Sequence, residues 1–142
     1  MATLSVSTVL GEFRRPGEGA VFEGQLGDVA VGLDVDDEHA AAALAQRVST
    51  TVGELAGFAR RVAVELADAF APEGPDEVEV WEHGETVISA AEFARRLRLD
   101  RIAAASEGDI ELSFDDDGMF GGHSIRAWVD AAGTVTDAQI AG

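Results

Sequence analysis

The chain has 142 residues, of which 46% are hydrophobic and 26% charged, values typical of a folded globular protein and not of a disordered one. This length predicts a single domain, 1–142, built around one hydrophobic core. Cysteine is absent, which excludes disulfides, thiol catalysis and thiolate metal sites. Ten basic residues stand against 27 acidic ones, a net charge of −17. This charge disfavours nucleic acid and anionic membranes as direct partners, because both are polyanions.

The first ten residues lack the basic and apolar regions of a signal peptide. No stretch of the chain approaches the roughly 20 apolar residues that a membrane-spanning helix needs. We therefore expect a cytoplasmic protein that does not enter a membrane.

The N-terminal part, residues 9–35, is predicted to form strands. Residues 9–14 and 20–26 have the composition of short strands, and residues 29–35 alternate between apolar and small or polar side chains. Gly27 and Asp28 form a two-residue hairpin signal between the last two strands. Together these patterns predict an antiparallel meander.

Two helices are predicted over residues 36–71. Asp36, Asp37 and Glu38 supply an N-cap and an acidic first turn for a helix that reaches about Val48. The pattern Thr51-x-x-Glu54 is typical of a capping box and would open the second helix. Apolar residues then recur at spacings of three and four, and we expect them to be buried; they include Val52, Leu55, Ala59, Val62 and Leu66.

The second half of the chain adds one helix and further strands. Val78, Val80 and Trp81 indicate a short extended segment, and Ser89-x-x-Glu92 is a capping box for a helix over about 89–98. Alternating patterns predict strands within residues 99–140, at 99–105, 109–115, 123–130 and 134–140. The expected fold is α+β, an antiparallel β-sheet with two to three helices packed on one face.

The densest group of polar residues runs from Asp115 through Asp116 and Asp117 to His123. An EF-hand reading is rejected, because Ser124 occupies the twelfth position, where a bidentate Glu is required. Three readings remain open: an exposed turn between two strands, a loop that binds a partner, and a metal or acid/base site that includes His123. No catalytic motif, metal or cofactor is expected from the spacing of the histidines and glycines.

Charge and aromatic residues in the last third of the chain favour a protein partner. Residues 99–142 hold nine acids against two arginines, which would attract a basic surface. Exposed aromatic side chains beside these acids would supply apolar anchors for the contact. The candidate partner-binding residues are Asp115, Asp116, Asp117, Phe120, His123 and Trp128.

The C-terminal third also resembles a known bacterial family. The segment Leu112-Ser-Phe-Asp-Asp-Asp-Gly-Met-Phe-Gly-Gly-His-Ser-Ile125 and the closing Ile140-Ala-Gly142 are similar to domain-of-unknown-function family 2262. Leu10-Gly-Glu-Phe13 and the Glu23-Gly24 strand are similar to the opening of that family. The resemblance implies no established activity.

The sequence favours a non-enzymatic, acidic binding protein of the cytoplasm. Small acidic proteins of this kind commonly serve as immunity or accessory proteins, and the immunity analogy predicts neutralisation of a toxin by protein–protein contact. Two alternatives remain: an enzyme, metal-dependent or acid/base, that uses the loop from Asp115 to His123, and a regulatory adaptor. The oligomeric state is left open.

Overall fold

The computed structural model describes residues 4–17, 20–70, 77–80 and 86–141. The strands are β1 (Leu4–Thr8), β2 (Gly11–Arg15), β3 (Phe22–Leu26), β4 (Val29–Asp34), β5 (Glu77–Val80), β6 (Thr86–Ser89), β7 (Arg98–Ala105), β8 (Ile110–Asp115), β9 (Ser124–Val129) and β10 (Val135–Ala141). The helices are α1 (Glu38–Val52), α2 (Leu55–Ala69) and α3 (Ala90–Arg96). Trp81, which the sequence places in an extended segment, lies outside the described residues.

Eight strands form one sheet in the order β1-β2-β3-β4-β7-β8-β9-β10. Every neighbouring pair is antiparallel except β4 and β7, which run parallel with Val31 opposite Ile102. The α+β class and the largely antiparallel sheet are therefore confirmed. The prediction of a wholly antiparallel sheet is wrong at the β4–β7 pair, which we call the seam. The chain passes through the helices before it returns beside β4, and parallel neighbours need such a crossover. Strands β5 and β6 pair separately as a two-stranded sheet.

Alternation along the strands separates a buried face of the sheet from a polar one. Ile110, Leu112 and Phe114 of β8 are buried, and Leu112 and Phe114 lie opposite Ala127 and Ile125 of β9. The residues between them point the other way, as the two-residue period of a strand requires. We call this polar side the open face; it includes Glu23, Arg101, Glu111, Ser113, Asp115, Arg126, Trp128, Asp137 and Gln139.

The helix boundaries follow local capping. Asp37 caps α1 by accepting a hydrogen bond from the Ala40 amide at 2.7 Å, as its position in the acidic turn predicts. The prediction that Thr51 opens a capping box is wrong, because Thr51 lies in the last turn of α1 and its hydroxyl donates to the Ala131 carbonyl. Glu54 itself caps α2 through the Gly57 amide, at 2.7 Å. The Ser89 cap of α3 is present as predicted.

The predicted apolar stripe on the second helix is only partly buried. Leu66 and Val62 are fully buried, as is Phe58, which the predicted stripe did not include. Leu55 and Ala59 are half-buried instead. The buried stripe of α2 therefore consists of Phe58, Val62, Ala63, Leu66 and Ala67, and Val52 is buried as the last residue of α1, before the break at Gly53.

The helices contact different parts of the fold. Helix α1 packs on β1, β4 and β7, whereas α2 reaches β10 and packs on α3. Helix α3 contacts both strands of the two-stranded sheet. Two to three helices on one face of a single sheet is therefore too simple a description. Within the described ranges, none of the helices has the length and apolarity to cross a membrane.

Strand β1 is absent from the sequence prediction, which begins the meander at residue 9. Val9 and Leu10 instead form the turn between β1 and β2, and Thr8 closes it, with its hydroxyl donating to the Gly11 carbonyl at 2.8 Å. The predicted strand at 9–14 thus corresponds to β2 with its preceding turn.

Candidate functional site

The loop from Asp115 to His123 is organised around one buried carboxylate. Asp116 is 1% exposed. Its Oδ1 accepts the Gly118 amide at 2.9 Å, and its Oδ2 accepts the amides of Phe120 and Gly122 at 3.0 and 3.2 Å. Charge-assisted hydrogen bonds from several amides are what makes burial of a carboxylate tolerable. Asp116 therefore holds the loop in shape, and its placement on a partner-binding surface is wrong.

Phe120 lies inside the molecule, so its prediction as an exposed anchor is also wrong. The ring is 2% exposed, and its centroid is 6.2 Å from that of Phe70 and 6.1 Å from that of Phe93. Phe70 and Phe93 are themselves 6.0 Å apart, so the three rings form one cluster. The loop thus closes the core beside α2 and α3.

The other two acids of the loop reach arginines of neighbouring elements. The Nε of Arg96 donates to the Asp117 carboxylate at 2.9 Å, and its guanidinium also donates to the Asp117 carbonyl at 2.9 Å. Arg98 lies 3.7 Å from the Asp115 carboxylate. Both carboxylates are more than 40% exposed at the side chain, so they remain at the surface while their charges are partly matched.

His123 is half-buried and its Nδ1 donates to the Phe120 carbonyl at 2.6 Å. The carbonyl can only accept, so the proton lies on Nδ1 in this contact. Across the described ranges, no group of three or more His, Asp or Glu side chains is arranged to hold a metal ion. The contact gives His123 a positioning role in the turn before β9.

Trp128 lies on the open face, as the alternation in β9 predicts. Glu111 of β8 and Asp137 of β10 are its cross-strand neighbours on either side. The indole is half-buried between them. Asp115 shares this face with Trp128, whereas Asp116 and Phe120 are buried in the core. The structure thus brings together only part of the predicted set of residues.

The remaining charges of the open face form loose ion pairs. Arg126 and Glu111 are 3.7 Å apart, and Arg101 and Glu23 are 3.6 Å apart. Such exposed pairs are screened by water and contribute little to stability. A Cβ on Gly32 would lie 2.8 Å from the Arg101 guanidinium, so this glycine lets Arg101 extend across β4.

One carboxyl group near the open face, that of Asp100, has a shifted pKa. Asp100 lies at an irregularity in the pairing of β7 with β8. Partial burial, and then the nearby charge of Asp115, raise the pKa of Asp100 above its ordinary value, although a hydrogen bond with Ser113 and the charge of Arg98 oppose the rise. The charged form of Asp100 is therefore disfavoured in the folded protein.

The structure also contains a groove that the sequence did not predict. A groove of about 840 Å³ lies along α2 and α3, with an apolar floor and three arginines in its lining. We call it the helical groove; its lining includes Leu55, Ala59, Arg60, Ala63, Val64, Ala91, Ala94, Arg95 and Arg98. The spacing of Leu55 and Ala59 predicts that both are buried, and their partial exposure here depends on how α2 packs on its neighbours.

The fold and the open face define an acidic α+β protein with a mixed eight-stranded sheet. The chain belongs to a family of uncharacterised proteins conserved in bacteria (DUF2262), whose model matches residues 7–140. No curated protein and no solved structure matches the chain.

Proposed function

We propose that this protein is a non-catalytic binding protein that covers a basic surface of a partner protein with its open face. The observation that carries the proposal is the position of Trp128 between Glu111 and Asp137. Tryptophan is enriched among the residues that dominate binding energy, and carboxylates around it select a positive surface. The face of an eight-stranded sheet offers a broad surface for contact with another folded protein.

The charge of the chain supports a basic partner. A net charge of −17 produces a field that accelerates the approach of a positive protein and repels nucleic acid. The exposed acids Glu23 and Asp137 and the half-buried Glu111 lie on the open face itself, whereas the buried Asp116 contributes to the overall field only. The association rate should therefore fall as salt rises from about 0.1 to 0.5 M.

The biological role that we propose is that of an immunity-type protein, acting in the cytoplasm to neutralise a toxin by covering it. The support is the class-level analogy with small acidic immunity proteins. The test is co-expression with a toxin encoded by a neighbouring gene. The native chain should restore growth and Trp128→Ala should not, while the Glu38→Arg variant, changed on α1 and away from the open face, should still restore it.

A capture experiment tests the open face without a known toxin. The native chain and the variants Trp128→Ala and Asp137→Arg are used as bait in a lysate of the native host. We expect a basic protein to be held by the native chain and by Glu38→Arg, and lost with both open-face variants. Retention by Trp128→Ala and Asp137→Arg would show that the partner uses another surface and would overturn the proposal.

A further inference from the structure

The helical groove combines apolar walls with a local excess of positive charge. Its volume of about 840 Å³ is in the range of small-molecule sites. The apolar part of its lining comes from alanines of α2 and α3 and from Val29, Leu55, Val64, Leu97 and Leu99. Val64 is 51% exposed, one of three large hydrophobic side chains that the described part of the chain leaves exposed. Water in contact with these walls is displaced favourably by an apolar ligand.

The charges in the groove run against those of the whole chain. Arg60, Arg95 and Arg98 line it, with Asp28 as the single carboxylate of the lining that the structure describes. Arg95 is paired with Glu92, and Arg98 lies near Asp115. Among the described contacts Arg60 has neither an ion pair nor a hydrogen bond, although the chain contains 27 acids. Arg60 is exposed, so its guanidinium is free to pair with an anionic head group beside the apolar wall.

We propose that the helical groove binds a small amphiphile that carries a carboxylate head and an apolar chain. The carboxylate pairs with Arg60 at the rim. The hydrocarbon chain lies along α2 and α3, against Leu55, Val64 and the alanines between them. This site is independent of the open face, which contains none of these residues.

The experiment uses the full chain with decanoate, octanoate and decylammonium as probes. Binding is measured by calorimetry and by amide chemical shifts in NMR spectra. Decanoate should shift the amides of α2 and α3. Octanoate should bind about tenfold more weakly, because it buries two fewer methylenes. Decylammonium should bind the groove more weakly than decanoate, even though the net charge of the chain favours a cation. Equal shifts of the groove amides by both head groups would overturn the proposal.

Two variants test the assigned contacts. Arg60→Gln should weaken decanoate binding by about fivefold, whereas the neighbour Arg61→Gln, whose guanidinium donates to Glu65 and to the Gly133 carbonyl, should change it little. Val64→Asp should abolish binding, and Val9→Asp, at a similarly exposed valine between β1 and β2, should not. Binding that is unchanged by Arg60→Gln and Val64→Asp would contradict the assignment. So would a groove that takes an acidic helical peptide but no decanoate.

Discussion

The loop from Asp115 to His123 and the open face have similar compositions, but their acids and aromatic rings are placed differently. Each contains carboxylates and a large aromatic ring. In the loop, the Asp116 carboxylate binds three amides and the Phe120 ring lies in the core. On the open face, Trp128 and its acidic neighbours stay on the polar side of the sheet. The contrast shows that backbone geometry, more than composition, decides whether acids are buried in the fold or stay at the surface.

The largest expected effect separates the two aromatic rings. Phe120→Ala should lower the free energy of unfolding by about 3–5 kcal/mol, because it empties a site among Phe70 and Phe93. Trp128→Ala, the matched change on the open face, should cost less than about 1.5 kcal/mol, because the indole is only half-buried. Urea denaturation of both variants measures the difference. Equal losses would show that the open face is part of the core in solution.

The second effect separates two adjacent acids. Asp116→Asn should cost about 1–3 kcal/mol, because the amide group replaces one acceptor oxygen with a donor that faces backbone N–H groups. Asp117→Asn is the control: its side chain is 59% exposed, its φ of +51° suits asparagine, and its loss of the Arg96 pair should cost less than about 1 kcal/mol. Thermal unfolding should rank the two variants in this order. The reverse order would mean that Arg96, and not Asp116, organises the loop.

The smallest expected effect is a change in how the stability of the protein depends on pH. The pKa of Asp100 is raised in the folded protein by partial burial and by Asp115, so the folded state holds this proton more tightly than the unfolded state does. The contribution of Asp100 to stability is therefore present in acid and lost as pH rises through its folded pKa. Asp100→Asn should make the protein slightly more stable at pH 7 and leave it unchanged near pH 3. Melting curves at both pH values test this, and a variant that is less stable at pH 7 contradicts it.

The sequence predicted those parts of the fold that have a local period. The alternation of Ile110, Leu112 and Phe114, and that of Ile125, Ala127 and Val129, identified β8 and β9 and placed Trp128 on the polar face. The Asp37 and Ser89 caps were also readable, because the side chain and the amide that it binds are three residues apart.

The remaining features depend on contacts between distant residues. The Thr51-x-x-Glu54 pattern fits a capping box, but α1 continues through Thr51 and the Thr51 hydroxyl reaches Ala131. The burial of Phe120 follows from contacts with Phe70 and Phe93, and a loop has no period from which to read an inward direction. The parallel pairing of β4 with β7 also leaves no pattern in the sequence of either strand.

The seam between β4 and β7 also has a consequence for the order of folding. The sheet consists of two antiparallel meanders, β1 to β4 and β7 to β10, whose strands are joined by short connections. Each meander can form by local closure, whereas the meeting of Val31 with Ile102 must wait until the intervening helices are arranged. We expect the seam to control the folding rate. Ile102→Val should then slow refolding. The matched change Ile140→Val, in the outer strand β10, should mainly accelerate unfolding.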